Sequence, residues 1–185
     1  MSKINMRAVP ALSKVILSFF LVSFCSCSGS QNRDERGNSV NIPLETYIKV
    51  NRKLVEKEQE KIKQYVEDNQ LDMHATGTGL WYRIDEPGTG DFIQKGQIVT
   101  LDYKIKLLDG TLCYDSEELG PKEFLVGRGG VESGLEEGIL MLKNGGRALF
   151  IMPPHLAHGL IGDDEKIPSR AIIIYEVEVV DVKFH

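Results

Sequence analysis

Several side chains in this sequence are of types that do chemistry, and their spacing decides which chemistry is open to them. His155 and His158 stand three residues apart, a separation that two ligands of one metal ion can use. No third ligand has suitable spacing, since His74 is far along the chain and His185 is its last residue, so no metal site is expected. Cys113 could be a reactive thiol, but a small buried residue is the plainer reading. The run Gly127-Arg128-Gly129-Gly130 lacks the strand-to-helix setting and the lysine of a phosphate-binding loop, and reads as a flexible turn. What remains is aromatic: Tyr103, Tyr114 and Tyr175, with Asp115 beside Tyr114. Tyr103 and Tyr175 fall on the buried phase of alternating segments, so they are either core aromatics or walls of a binding slot. Asp115 is either a turn residue or a member of that slot. This set calls for no nucleophile, metal or cofactor.

Strands must position these residues. Over 99–107, Val99, Leu101, Tyr103, Ile105 and Leu107 alternate with Thr100, Asp102, Lys104 and Lys106, the period of a strand with one buried face. Leu108-Asp109-Gly110 signals a hairpin turn, and 111–114 returns as its partner. Further strands are expected over 80–84, 123–126, 147–152 and 171–182. In the last of these, Ala171, Ile173, Tyr175, Val177 and Val179 share a face. Pro153-Pro154 stops the strand before them. A short helix is expected over 135–142, with Leu135, Ile139 and Leu142 on one side. Residues 76–79 read as a hinge, 86–90 as a turn and 91–97 as a loop. Upstream, Pro43 suits a first helical turn. Leu44, Tyr47, Ile48, Leu54, Val55, Ile62, Tyr65 and Val66 then recur at helical spacing, opposite lysines and glutamates. This predicts one amphipathic helix of about 25 residues ending near Asp68-Asn69-Gln70. Its stripe needs a partner: the downstream domain, or a second copy in a homodimer through the 44–66 helix. The expected fold is α+β, a curled antiparallel sheet wrapped on a short helix and preceded by the long amphipathic one.

Four stretches, in this order and spacing, resemble an FKBP-type peptidyl-prolyl cis-trans isomerase domain over residues 80–185: V-T-L-D-Y-K-I-K-L-L-D-G-T-L-C-Y-D at 99–115, G-L-E-E-G at 134–138, G-G-R-A at 145–148 and A-H-G at 157–159. The resemblance implies the same curled sheet, proline-containing polypeptides as clients, and no cofactor. The barrier to X-Pro rotation is about 18–20 kcal/mol. Such an enzyme lowers it by favouring the twisted amide over the planar one, in an apolar slot with few waters and a few directed hydrogen bonds. Carried over by position, the resemblance makes Tyr103, Asp115 and His158 catalytic. It makes Tyr114, Val131, Glu132, Leu135, Ile167 and Tyr175 substrate-binding. Tyr114 and Tyr175 stand where the family usually has phenylalanine. Glu132 replaces an isoleucine whose backbone N–H grips the substrate. Leu135 replaces a tryptophan floor. His158 replaces a tyrosine donor, and can still donate through a ring nitrogen. Lys122 replaces an aromatic residue of the wall, and Lys166 an apolar residue of the late loop. The slot implied is smaller and more polar. Two functions follow: an isomerase assisting the folding of exported proteins, or an FKBP-like chaperone or envelope-complex module with little isomerase activity.

The 185 residues are 42% hydrophobic and 26% charged with formal charge −5, enough for one compact core. A mildly acidic chain without a basic patch argues against nucleic acid as a partner. Lys3, Arg7 and Lys14 accompany a short apolar run over 15–24, followed by Cys25-Ser26-Cys27-Ser28. The run is too short to span a bilayer comfortably. It resembles a bacterial lipoprotein signal over 1–26 with Cys27 as acceptor, because Ser26 before it is small. A plain secretory signal with incidental cysteines is the other reading. Loss of 1–26 would remove Lys3, Arg7 and Lys14, taking the charge from −5 to −8, and would leave Cys113 as the one unmodified thiol. Residues 27–41 read as a polar tether, 42–75 as the helical segment and 80–185 as the domain. The location expected is the bacterial envelope, lipid-anchored and facing the periplasm, since a multiply acylated cysteine holds stably to a membrane. Intact mass of the mature protein should show a chain beginning at an acylated Cys27; an unmodified start at any other residue would refute this.

Overall fold

The computed structural model describes residues 43–184; the expected signal segment, Cys27 and the 27–41 tether lie outside the described residues. In chain order the elements are α1 (Leu44–Asp68), β1 (His74–Ala75), β2 (Trp81–Glu86), β3 (Gln97–Leu107), β4 (Leu112–Asp115), α2 (Ser116–Leu119), β5 (Lys122–Leu125), α3 (Ser133–Ile139), β6 (Arg147–Met152) and β7 (Ile173–Phe184). The sheet is antiparallel, in the order β1-β2-β6-β7-β3-β4. The outer edge of β3 is shared: Ile98 to Leu101 pair with β5, and Lys104 to Lys106 pair with β4.

Alternation along β3 and β7 turns Leu101, Tyr103, Ile105, Tyr175, Val177 and Val179 into one core. α3 lies on that face. Gly134 and Gly138, four apart on one side of the helix, let it approach closely. A Cβ on Gly134 would stand 2.9 Å from Met152 Sδ, and one on Gly138 would stand 2.6 Å from Phe150 Cζ. These glycines bring Leu135 and Ile139 down onto the sheet, where both are wholly buried.

The opposite face of the sheet is covered by the second half of α1. Ile62 and Val66 pack with Ile151, Ile172 and Ile174. Polar clamps fix the docking. Gln59 donates to the Gly79 carbonyl at 3.0 Å and accepts from the Trp81 indole at 2.8 Å. Buried Glu58 pairs with Arg170. The stripe therefore divides, because Leu44, Tyr47, Ile48 and Val55 remain exposed. Among the described residues, no helix is long and apolar enough to cross a membrane.

Several boundaries differ from the sequence reading, each for a local reason. β1 lies just ahead of the expected hinge, whose turn folds it back on β2: Thr76 N–H bonds Leu80 O, and Gly79 N–H bonds Thr76 O. α3 begins two residues before 135, because the Glu132 carbonyl takes the Leu135 and Glu136 N–H groups. β7 begins at Ile173, because the Ala171 N–H closes a turn onto Pro168 O. α2 was not foreseen; Asp115 creates it by accepting the Glu117 N–H at 2.9 Å, an N-cap. If α1 is docked as described, Ile62→Ala should cost about 2–5 kcal/mol in chemical denaturation. Ile48→Ala on the exposed half should stay within about 0.5 kcal/mol for the monomer. Equal costs would overturn the division of the stripe.

Candidate functional site

Register builds the centre of the site. Tyr103 pairs with Val177 and Ile105 with Tyr175, so the two tyrosines are diagonal neighbours on one face. Their ring centroids are 5.9 Å apart and tilted by 46°. Tyr175 and Leu135 are wholly buried, Ile167 is buried beside them, and half-buried Tyr114 and Val131 pack against the same cluster. Among the described residues, the Tyr175 hydroxyl has no hydrogen-bond partner. Burial, then the charge of Glu132 and the neighbouring Tyr103, push its ionisation far up, so it stays a neutral donor. Burial, followed by Glu132 and Asp115, raises Tyr103 in the same direction.

A charged group stands over this pair. The Lys122 ammonium lies 5.1 Å from the Tyr103 ring centroid and 5.4 Å from that of Tyr175. It is also 3.5 Å from Glu132 Oε2. Glu132 Oε1 is 3.2 Å from His158 Nε2. Neither Glu132 Oε2 nor His158 Nε2 makes a hydrogen bond, although both atoms are buried. A buried carboxylate thus stands between an ammonium and an imidazole without a hydrogen bond to either among the described residues.

The late loop is fastened to the slot by a residue the sequence reading passed over. Asp163 Oδ1 accepts the N–H groups of Glu165 at 3.0 Å and Ile167 at 2.8 Å. Its Oδ2 accepts the Tyr114 hydroxyl. Burial works to raise the Asp163 pKa. The bonds from Tyr114, Glu165 and Ile167 outweigh it and hold the group at about 2. The same bond to Asp163, with burial, drives Tyr114 upward. The signal was an aspartate with amides two and four residues on, an Asx-type loop. The tyrosine hydroxyl at 114, unnecessary for an aromatic wall, is explained by this tie. Lys166 lies over the same ring, 5.2 Å from its centroid.

Asp115 is buried but does not join the group by contact. It caps α2, and its Oδ2 pairs with Lys104 at 3.1 Å. Its cap bond to Glu117, with Lys104 behind it, lowers its pKa against the cost of burial. It reaches Tyr103 indirectly, since the Tyr103 N–H donates to the hydroxyl of Ser116, the first residue of α2, at 3.0 Å. The Gly127–Gly130 turn binds an anion after all, but an internal one: the Gly127 and Gly129 N–H groups donate to Glu136 at 2.6 and 3.0 Å, tying the turn before Val131 to α3. His155 turns away from His158, its Nε2 lying 3.0 Å from Thr78 O. Cys113 is buried in the core. A groove of about 1030 Å³ has Tyr65 of α1 and Ile174 of β7 in its lining and also touches Tyr103 and Ser116. Much of its lining consists of already paired charges, among them Arg83–Asp85, Lys106–Glu176 and Arg147–Glu178.

Residues 90–180 match the family described as FKBP-type peptidyl-prolyl cis-trans isomerase. A probable FKBP-type peptidyl-prolyl cis-trans isomerase of Haemophilus influenzae is 37% identical over 112 residues, 60% of this chain and 46% of that one. The FKBP-type isomerase FkpA of Escherichia coli K12 is 34% identical over 110 residues, 59% of this chain and 40% of that one. The chain thus spans less than half the length of these curated relatives. The crystal structure of FkpA from Escherichia coli aligns with TM-score 0.61 at 32% identity, over 71% of this chain and 62% of that one. That of AtFKBP13 aligns with TM-score 0.56 at 27% identity, over 60% and 98%.

Asp163→Ala should free the Tyr114 hydroxyl and two loop amides, costing about 1–3 kcal/mol. Because the folded-state value of Asp163 lies below the ordinary 3.8, its contribution is complete above that pH and is lost as pH falls through about 2. Denaturation of both proteins across this range checks it: the gap between them should close on acidification.

Proposed function

We propose that this chain, whose residues 90–180 match the FKBP-type peptidyl-prolyl cis-trans isomerases, is one of them and that its folded body isomerises X-Pro bonds in polypeptide clients. The observation that carries this is the set of buried polar atoms beside the aromatic pair that make no hydrogen bond among the described residues: Tyr175 OH, His158 Nε2 and Glu132 Oε2. Folded cores satisfy their buried polar groups, so a cluster left open beside two aromatic faces is suited to a ligand that brings its own. In this reading the proline ring rests on Tyr103 and Tyr175, floored by Leu135 and walled by Tyr114, Val131 and Ile167. His158 donates to the client carbonyl, and Glu132 offers its backbone N–H. Asp115 is a positioning residue, acting through Ser116 on Tyr103. No bond is made or broken. The slot lowers the barrier by fitting the twisted amide better than the planar one and by excluding water from it.

The clients proposed are exported proteins at the bacterial envelope, with Cys27 as lipid anchor; the apolar run and Ser26-Cys27 support this. Exposed Leu44, Tyr47, Ile48 and Val55 support a homodimer through the first half of α1. A chaperone or binding module with little turnover is the second reading, favoured by the Lys122 ammonium over the rings. Isomerisation of a proline tetrapeptide decides between them. The mature protein should accelerate it above the spontaneous rate. His158→Phe, which removes the proposed donor, should lower kcat/KM by roughly five- to a hundredfold, the value of a hydrogen bond of about 1–3 kcal/mol. Tyr175→Phe, which restores the family's usual residue, should stay active and lose no stability, because the hydroxyl removed makes no hydrogen bond among the described residues. No acceleration by the wild-type protein would leave the binding module.

A further inference from the structure

An apolar slot does not account for Lys122. Whatever rests on the faces of Tyr103 and Tyr175 meets an ammonium already 5.1 and 5.4 Å from their centroids. We infer that Lys122 sets client specificity, so that the site favours a carboxylate side chain on the residue next to the client's proline. This rests on the slot being where the proline binds.

Lys122 begins edge strand β5 and carries its charge on a flexible four-carbon stem, with a side chain 26% exposed. Its 3.5 Å contact with Glu132 is an ion pair without a hydrogen bond, so its donors are free for an incoming acceptor. As a proline ring displaces the ammonium from the tyrosine faces, a neighbouring carboxylate gives it a new partner. A neutral neighbour gives it none, and a cationic one repels it. The other charges near the slot are committed. Glu132 is only 7% exposed and stands between Lys122 and His158. Asp163 and Glu165 face the Tyr114 hydroxyl. Asp115 is held by Lys104 and the Glu117 N–H. Lys166, over Tyr114, adds a second cation to the rim.

Calorimetric titration at low salt with two peptides, Ala-Glu-Pro-Phe and Ala-Gln-Pro-Phe, tests this in the mature wild-type protein, Lys122→Met and Lys122→Arg. The wild type should bind the glutamate peptide about two- to fivefold more tightly, the worth of a partly exposed ion pair. Lys122→Met should lose that preference and Lys122→Arg should keep it. The same ratio in wild type and Lys122→Met overturns the inference and leaves the isomerase reading standing. A Lys122-dependent ratio without any acceleration of isomerisation supports the inference and refutes the isomerase reading. No binding of either peptide by any of the proteins overturns both.

Discussion

The pairing of β3 with β7 is the constraint on which the rest of the structure depends. These two strands run antiparallel along the middle of the sheet, and their register decides which side chains meet α3 and which turn to the opposite face. Tyr103 and Tyr175 come from strands about seventy residues apart, yet become diagonal neighbours only in this register. A slip of one residue would send one of them to the opposite face of the sheet and dismantle the aromatic pair.

The two helices solve different problems on that sheet. α3 is short and gains its position from glycine: with no Cβ at 134 and 138, its backbone reaches Met152 and Phe150, and Leu135 becomes the floor beneath the tyrosines. α1 is long and covers the sheet with only its second half, using a small apolar cluster and the polar grips of Gln59 and Glu58. The far-face cluster buries residues of β6 and β7, while Leu44, Tyr47, Ile48 and Val55 of the first half remain exposed.

The site itself joins an apolar centre to a polar rim. Its tyrosines are kept neutral by burial, and its carboxylates are divided among distinct tasks. Asp163 holds the loop of Ile167, Asp115 holds α2, Glu136 holds the turn before Val131, and Glu132 alone faces Lys122 and His158. Three of the four are structural. That sorting leaves Glu132 as the one of the four whose carboxylate stands beside both Lys122 and His158.

The sequence by itself determined what depends on short-range periodicity. Strict alternation identified β3 and the inward phase of Tyr103 and Tyr175, and the 3.6-residue period identified α1 almost to its ends, because those patterns are set by backbone geometry within one element. Ordered motifs carried the family resemblance in the same way. What the sequence could not settle was every feature made by two distant segments meeting. The division of the α1 stripe depends on where the sheet lies under it. The role of Asp115 depends on Lys104 across a strand pair, and that of Asp163 on a tyrosine 49 residues away. Glu132 reads in sequence as a misplaced charge. Only the fold brings Lys122 and His158 to its two oxygens, because pairing between charges depends on distance in space and not on distance along the chain.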